Sequence, residues 1–451
     1  MSSFLSDLKL QDISSSFSKT SKMCSHTLFS PSILVNRDSV LPQELVPLKE
    51  ALGWTCGKKN NAHNGIQKRH IPSAGARYPT EVLAIYFMDD VYSLYYYDVD
   101  NHEMYSTFNS DQAALGEIYA SHNATEKDVV IVFASVLWRT LERYGVRGYR
   151  YCLIETGCMA SLLNEIKGSQ SDSLILRTPT ENLDRGLGLS CSTPATATCR
   201  LSLDSLSEVK NFRRAEKQGV SYIDEQTPIM NPLLKRVEKF HRKAMKAEKN
   251  IAVPESMFFC DYEKRRSANH FSETLLGDEK ISLLKSELVR FCGNAANKPN
   301  NSLIIIVLSV EEGKHLSPVA RWASKEKVRE FFIPSRIDIA SFTEHAFQNQ
   351  DIVKRASVIV VVGMSGYQDE RFDHGDFATM TIKSGMLIAD FYRLADKTDT
   401  ATTTIGGFSD AQFVEILGLK NFHPLIAQVY GKEAEHCIKK DSRVLFTSER
   451  L

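Results

Sequence analysis

Long hydrophobic runs are missing from this sequence. Its longest apolar stretches are of the length of SLIIIVL (Ser302–Leu308) and ASVIVVV (Ala356–Val362), whereas a helix needs roughly 20 apolar residues to cross a bilayer. The opening MSSFLSDLKLQ has no basic segment followed by an apolar one, which predicts no secretory signal. An excess of charge is missing too, because 55 Lys and Arg balance 55 Asp and Glu. No global field draws nucleic acid or an anionic membrane, and neither is expected as a partner. There is no His-Glu-x-x-His and no Cys/His cluster with zinc spacing, so metal chemistry has no support. Nine cysteines are scattered without a Cys-x-x-Cys pair, the usage of reduced thiols in a cytosol. A cytoplasmic, metal-free protein is expected.

What the chain does have is length and an internal repeat. Its 451 residues, 43% hydrophobic and 24% charged, suffice for two or three well-buried domains. DVVIVFA (Asp128–Ala134) resembles SVIVVVG (Ser357–Gly363), and EVLAIYF (Glu81–Phe87) resembles SLIIIVL. YRYCLIETGCMASLL (Tyr149–Leu163) aligns with FATMTIKSGMLIADF (Phe377–Phe391), and RGLGL (Arg185–Leu189) with EILGL (Glu415–Leu419). The offsets are all similar, so two copies of one unit lie in tandem. The β-branched runs predict buried strands and the three-and-four spacing predicts central helices. Each unit is expected to be α+β, and duplication invites an intramolecular pseudo-dimer. The boundaries expected are 15–205 for the first domain, 206–250 for a charged linker with an exposed helix, and 251–451 for the second domain.

Two motifs carry chemistry. One is Arg69-x-x-Pro-Ser-Ala-Gly-Ala-Arg-Tyr-Pro-Thr-Glu81, placed directly before a strand, and the other is ERYGVRGYRYCLIETG (Glu142–Gly157). Together they resemble the flavin-dependent azoline dehydrogenases of the nitroreductase superfamily, which mature thiazole/oxazole peptides of the streptolysin and microcin type. The second copy resembles the general nitroreductase pattern through KRRSANHF (Lys264–Phe271) and the stretch from Gly385 to Leu419 containing TIGGFSD. Taken alone, Ser-Ala-Gly before a strand also reads as a tight turn, Arg-Arg-Ser as a solvated helix start and Gly-Gly-Phe as a loop.

The resemblance implies an FMN cofactor, a peptide substrate and an associated cyclodehydratase. Carried over residue by residue, it places Arg69, Ser73, Ala74 and Gly75 of the first copy at the flavin. From the second copy it adds Arg265, Arg266, Ser267, Gly406, Gly407 and Arg443. The residue types suit those roles: small residues let backbone N–H groups approach a ligand, and arginine and serine offer hydrogen bonds to a phosphate or carbonyl. The copies are complementary. Where the first has SAGARYP the second reads NAANKPN (Asn294–Asn300), and where the second has TIGGFSD the first reads RTPTENLD (Arg177–Asp184). One flavin per chain, shared by the two halves, is expected.

In the family a Lys–Tyr pair precedes the glycine of Y-G-x-R-x-Y-R-Y and is the candidate acid/base pair. Here that pair is Arg143–Tyr144. Arginine stays protonated at any working pH, which leaves Tyr144 as the candidate general base and Arg143 as a charge that favours its phenolate or an enolate-like oxygen. A nitroreductase or NAD(P)H-dependent flavin reductase, and a non-catalytic scaffold subunit, are the alternative readings.

Overall fold

The computed structural model describes residues 35–59, 68–108, 111–167, 174–179, 183–189, 193–212, 232–246, 249–254, 265, 267–268, 270–296, 303–311, 315–322, 337–365, 372–419 and 421–434. Its chain divides into two compact units, one built on residues 17–256 and the other on 257–440. Lys264, Arg266 and Arg443 lie outside the described residues.

The first unit runs β1 (Val35–Asn36), α1 (Val46–Cys56), β2 (Thr80–Met88), β3 (Val91–Asp98), β4 (Glu103–Thr107), α2 (Gln112–Ser121), β5 (Asp128–Ser135), α3 (Trp138–Tyr144) and α4 (Arg147–Ile166). It continues with β6 (Ile175–Arg177), α5 (Leu183–Gly186), β7 (Ala195–Ser202), α6 (Pro232–Ala244) and β8 (Asn250–Ala252). The strands form one sheet in the order β1-β4-β3-β2-β5-β7-β6-β8. Strand β5, DVVIVFAS, is buried at every position, as a central strand covered on both faces must be. Asp89 and Asp90 both take positive φ between β2 and β3, the primed turn that matches the twist of a tight hairpin. Helix α4 is buried from Arg147 to Asn164, charged Arg147, Arg150 and Glu155 included, so those three must find partners inside the fold.

The second unit runs α7 (Asp278–Ala296), β9 (Leu303–Glu311), β10 (His315–Trp322), β11 (Ile337–Asp338), α8 (Ile339–Ala346), α9 (Asp351–Lys354) and β12 (Val358–Ser365). Then follow α10 (His374–Lys397), β13 (Ala401–Ile405), α11 (Asp410–Ile416) and β14 (Phe422–Gly431), with sheet order β11-β10-β9-β12-β14-β13. The repeat is now visible as topology. β3-β2-β5-β7-β6 of the first sheet corresponds to β10-β9-β12-β14-β13 of the second, and α4 precedes β6 as α10 precedes β13. The long helix α10 begins at a capping box between Asp373 and Asp376, which satisfies orphan N–H donors at its first turn. Both units are α+β, as the sequence predicts. Among the described residues no helix is long and apolar enough to cross a membrane.

The charged segment departs from the reading as an exposed helix. The helix is there, α6, but its apolar side is covered: Leu234, Val237, Phe240 and Ala244 are buried in the first unit. The phenol of Tyr149 meets His241 Nδ1 at 2.9 Å, and its ring packs edge-on against Phe240. Beyond α6, β8 pairs with β6, bringing Ile175 opposite Ala252 and Leu176 opposite Ile251. Helical periodicity gives the apolar stripe of α6, but not which surface receives it.

Burial holds His241 down at about 4. A histidine depressed in the folded state stays neutral while its unfolded counterpart takes up a proton below about 6.5. Its contribution is therefore present above that pH and is lost as pH falls toward 4. Asp184 is raised by burial to about 7 and acts in the opposite direction, so comparison with a variant isolates the histidine. His241→Gln keeps a polar partner for Tyr149 but cannot titrate. Between pH 7 and pH 5 the wild type is expected to lose on the order of 2 kcal/mol more stability than this variant, as measured by denaturant unfolding at both pH values.

Candidate active site

The sequence SAGARYPT folds into a strained loop. Gly75 has φ +58°, and Ala76 and Tyr78 follow at φ +53° and +46°. Left-handed backbone at an alanine and a tyrosine costs free energy and persists only where the surroundings impose it. Here they do. The Tyr78 amide donates to Ser73 Oγ at 2.8 Å, the Arg69 amide donates to the Tyr78 hydroxyl at 3.0 Å, and Arg139 Nη1 donates to the Tyr78 carbonyl at 2.9 Å. The Arg69 guanidinium lies 4.8 Å from the centre of the Tyr78 ring.

Beneath the loop is a buried charged platform. Arg139 and Glu81, 2% and 4% exposed, form an ion pair, and the Tyr96 hydroxyl donates to the other Glu81 oxygen at 2.9 Å. Arg69 is 3% exposed and has the carboxylates of Glu81, Asp100 and Glu155 as its charged surroundings. Within its unit Arg69 therefore lies under the loop and not on its open side, while Ser73, Ala74 and Gly75 remain half-buried.

The helical corner between α3 and α4 brings the second motif to this loop. Gly145, at φ +57° and ψ −147°, ends α3 and donates to the Leu141 carbonyl. That backbone region is essentially reserved for glycine, and it places Tyr144 at the corner. A Cβ built on Gly75 would strike the Tyr144 hydroxyl and lie 3.2 Å from Arg143 Nη1. The two motifs thus meet, and the absence of a side chain at Gly75 is what lets Tyr144 approach. Tyr144 is half-buried with its ring edge-on to Tyr151 at 4.9 Å, and the exposed Arg143 guanidinium lies 5.5 Å from its ring centre. Arg147, Tyr149 and Arg150 are buried in α4.

In the second unit, the Ala268 amide donates to the Thr402 carbonyl at 2.8 Å, fastening Ala268 beside β13. Ser267 Oγ lies 2.7 Å from the Tyr392 hydroxyl, which lies 3.1 Å from Thr404 Oγ1. The Thr404 hydroxyl donates to Gln428 Oε1 at 2.6 Å. Arg265 stacks 5.1 Å over the Tyr392 ring. Gly406 and Gly407 follow the end of β13 at Ile405 directly. Their turn is fixed from behind: Gln350 Nε2 donates to the Gly407 carbonyl at 2.5 Å and Phe408 is sunk in the core. A cleft of about 760 Å³ opens beside Arg265 and Tyr392 and extends past Lys280 and Asp399 to Lys432, reaching neither glycine.

The stretches that replace these motifs are built differently. Asn294–Ala296 of NAANKPN form the last turn of α7, and Arg177 of RTPTENLD closes β6. Tyr392, Gln428, Arg139 and Glu155 were missed by motif reading. Two acids left a signal: Glu155, and Glu81, the partner of Arg139, stand in otherwise apolar runs, CLIETGCMA and EVLAIYF, and a buried acid needs a partner. Arg139→Met would leave Glu81 buried without its counter-charge, an expected loss of about 3–5 kcal/mol in denaturant unfolding. Pairing it with Glu81→Leu should recover most of that loss.

Comparison with known proteins was made on sequence and on fold. No curated protein matches the chain in sequence. A crystallised nitroreductase candidate from Anabaena variabilis has TM-score 0.64 at 15% identity, and the match covers 93% of this chain and 95% of that one. A second nitroreductase candidate, from Ralstonia eutropha, reaches TM-score 0.27 at 18% identity, over 38% of this chain and 80% of that one. A chain of the E. coli microcin synthetase McbBCD complex with truncated pro-MccB17 bound gives 0.30 at 13% identity, over 47% and 85%. The last two superpose too little to bear on this fold. The Anabaena structure shows that the fold extends across both units, and residues 262–432 of the second unit match the model of the nitroreductase family.

Proposed function

We propose that this protein is an FMN-dependent oxidoreductase that oxidises azoline rings of a ribosomal peptide to thiazoles or oxazoles. The observation that carries the reading is the meeting of Gly75 with the Tyr144 hydroxyl in a strained, half-open loop. Strain of this kind collects at functional sites, and the two motifs involved are the ones that resemble azoline dehydrogenases.

The residues fit a flavin. Ser73–Ala76 present half-open backbone without a bulky side chain at Gly75, and Gly406–Gly407 do the same after β13. Arg265 and Ser267 offer a guanidinium and a hydroxyl beside Tyr392. We assign Ser73, Ala74 and Gly75, together with Arg265, Arg266, Ser267, Gly406, Gly407 and Arg443, to holding FMN. Arg69 supports the loop from below. FMN supplies the acceptor for the hydride leaving the azoline Cβ. Tyr144 receives the Cα proton on its phenol oxygen, so the ring loses two electrons and two hydrogens and gains its second double bond. Arg143, on the solvent side of Tyr144, supplies the positive charge that favours the oxygen anion in that step. The peptide would be delivered with a cyclodehydratase that forms the azoline.

A nitroreductase activity is favoured by the family match of residues 262–432, and NAD(P)H oxidation with a nitroaromatic acceptor is the assay for it. Two outcomes test the azoline reading. Heat-released FMN is expected at about one per chain; a ratio near two or near zero defeats the complementarity of the copies. Tyr144→Phe should retain FMN while single-turnover flavin reduction by an azoline peptide under anaerobic conditions falls about 10²–10⁴-fold. An unchanged rate removes Tyr144 from the chemistry.

A further inference from the structure

The Gly406–Gly407 turn is held by a side chain that belongs to none of the motifs. Gln350 follows two residues in left-handed backbone, Gln348 at φ +50° and Asn349 at φ +60°. Its Nε2 donates to the Phe347 carbonyl at 3.0 Å and to the Gly407 carbonyl at 2.5 Å, so both amide protons are in use. The Asn349 amide donates to the Thr343 carbonyl at 2.9 Å, which ties this segment to α8. Left-handed backbone at two successive residues other than glycine costs free energy and persists where the surroundings impose it. Here it brings one side chain under the glycine turn.

The polarity of the turn follows from where its peptide groups go. Gln350 takes the Gly407 carbonyl. The N–H of that same peptide, on Phe408, donates to the Gly406 carbonyl at 3.2 Å. The next amide, on Ser409, donates to the Ala346 carbonyl at 2.8 Å. Both glycine carbonyls are therefore engaged within the fold. The Gly407 amide has no hydrogen-bond partner among the described residues. It points away from the Gly406 carbonyl, because a trans peptide sets the two groups opposite each other. Gly407 is half-buried, so the turn offers a donor and no acceptor.

We infer that Gln350 is a positioning residue that pins this turn as a donor, so that the turn favours the oxidised form of a bound flavin over the reduced form. An oxidised flavin ring presents mostly acceptors, and reduction by two electrons places an N–H where the hydride-accepting nitrogen had a lone pair. A turn with both carbonyls drawn inward has nothing to accept that hydrogen. Without Gln350, the Gly407–Phe408 peptide is released on one side, and glycine gives it the freedom to rotate its carbonyl outward. The identity of the ligand rests on the flavin reading, whereas the pinned polarity of the turn does not.

The test has two arms on the full-length protein. In the first, hydrogen exchange of flavin-free protein is followed by mass spectrometry on a fragment spanning Gly406–Asp410. Gln350→Met keeps the length of the side chain but donates nothing. It should speed exchange of the Phe408 and Ser409 amides by up to about tenfold, the effect of one lost hydrogen bond, while β14 exchanges as in the wild type. Gln350→Asn, one methylene shorter, should act in the same direction and serves if the methionine variant does not fold. Unchanged exchange in the fragment overturns the pin. In the second arm the dissociation constants of oxidised FMN and, under anaerobic conditions, of reduced FMN are measured. The wild type should bind the oxidised form more tightly. In either variant that preference should shrink about tenfold, equivalent to raising the two-electron midpoint potential by roughly 30 mV. A wild type without the preference, or a variant that keeps it in full, overturns the redox bias of the turn. No FMN binding to the wild type defeats the flavin reading and that bias together, and the exchange arm then decides the pin alone.

Discussion

An arginine and a glutamate shut away from water hold the first unit's loop in its strained shape. Taking both charges out of solvent is costly, and their mutual attraction offsets that cost only when the remaining donors and acceptors are also satisfied. The Arg139–Glu81 pair meets the condition through the Tyr96 hydroxyl and the Tyr78 carbonyl. That carbonyl belongs to a residue in left-handed backbone, so the ion pair acts directly on the least favourable conformation in the loop. Everything placed above it inherits this constraint, from the half-open backbone at Gly75 to the reach of the Tyr144 hydroxyl.

Much of the architecture was legible because it repeats. The runs DVVIVFA and SVIVVVG become β5 and β12, each central in its sheet and each paired with the strand formed by EVLAIYF or SLIIIVL. Their β-branched composition and full burial are two expressions of one fact. The meeting of SAGARYP with Arg143–Tyr144 could not be read from spacing, since some seventy residues separate them; only the resemblance joined them. The burial of α6 was illegible for a different reason. Its charges alternate with an apolar stripe, and amphipathicity says that a face is covered without saying by what. Tyr392 and Gln428 were missed because a tyrosine in a buried helix and a glutamine in a buried strand look like packing until their hydrogen bonds to Ser267, Thr404 and Thr402 are seen.

The two units share one order across five corresponding strands while differing at the loops that hold the motifs, as expected where packing sets a scaffold and exposed segments are free to vary. In the second unit a chain of hydroxyls and one amide, Ser267–Tyr392–Thr404–Gln428–Thr402, does the fixing that buried charges do in the first. Neutral hydrogen bonds avoid the desolvation cost of ions, but each contributes less.

The last strand of the first sheet has a consequence for how the protein is made. Strand β8 follows α6 in the chain and zips onto β6, which precedes it by some seventy residues. A nascent chain that has just released β7 already carries seven of the eight strands, but β6 still presents an unpaired edge and Tyr149 still lacks its histidine. Only when residues 232–252 have left the ribosome can that edge be covered. During synthesis the first half thus has a built-in interval in which an incomplete sheet is exposed to other chains.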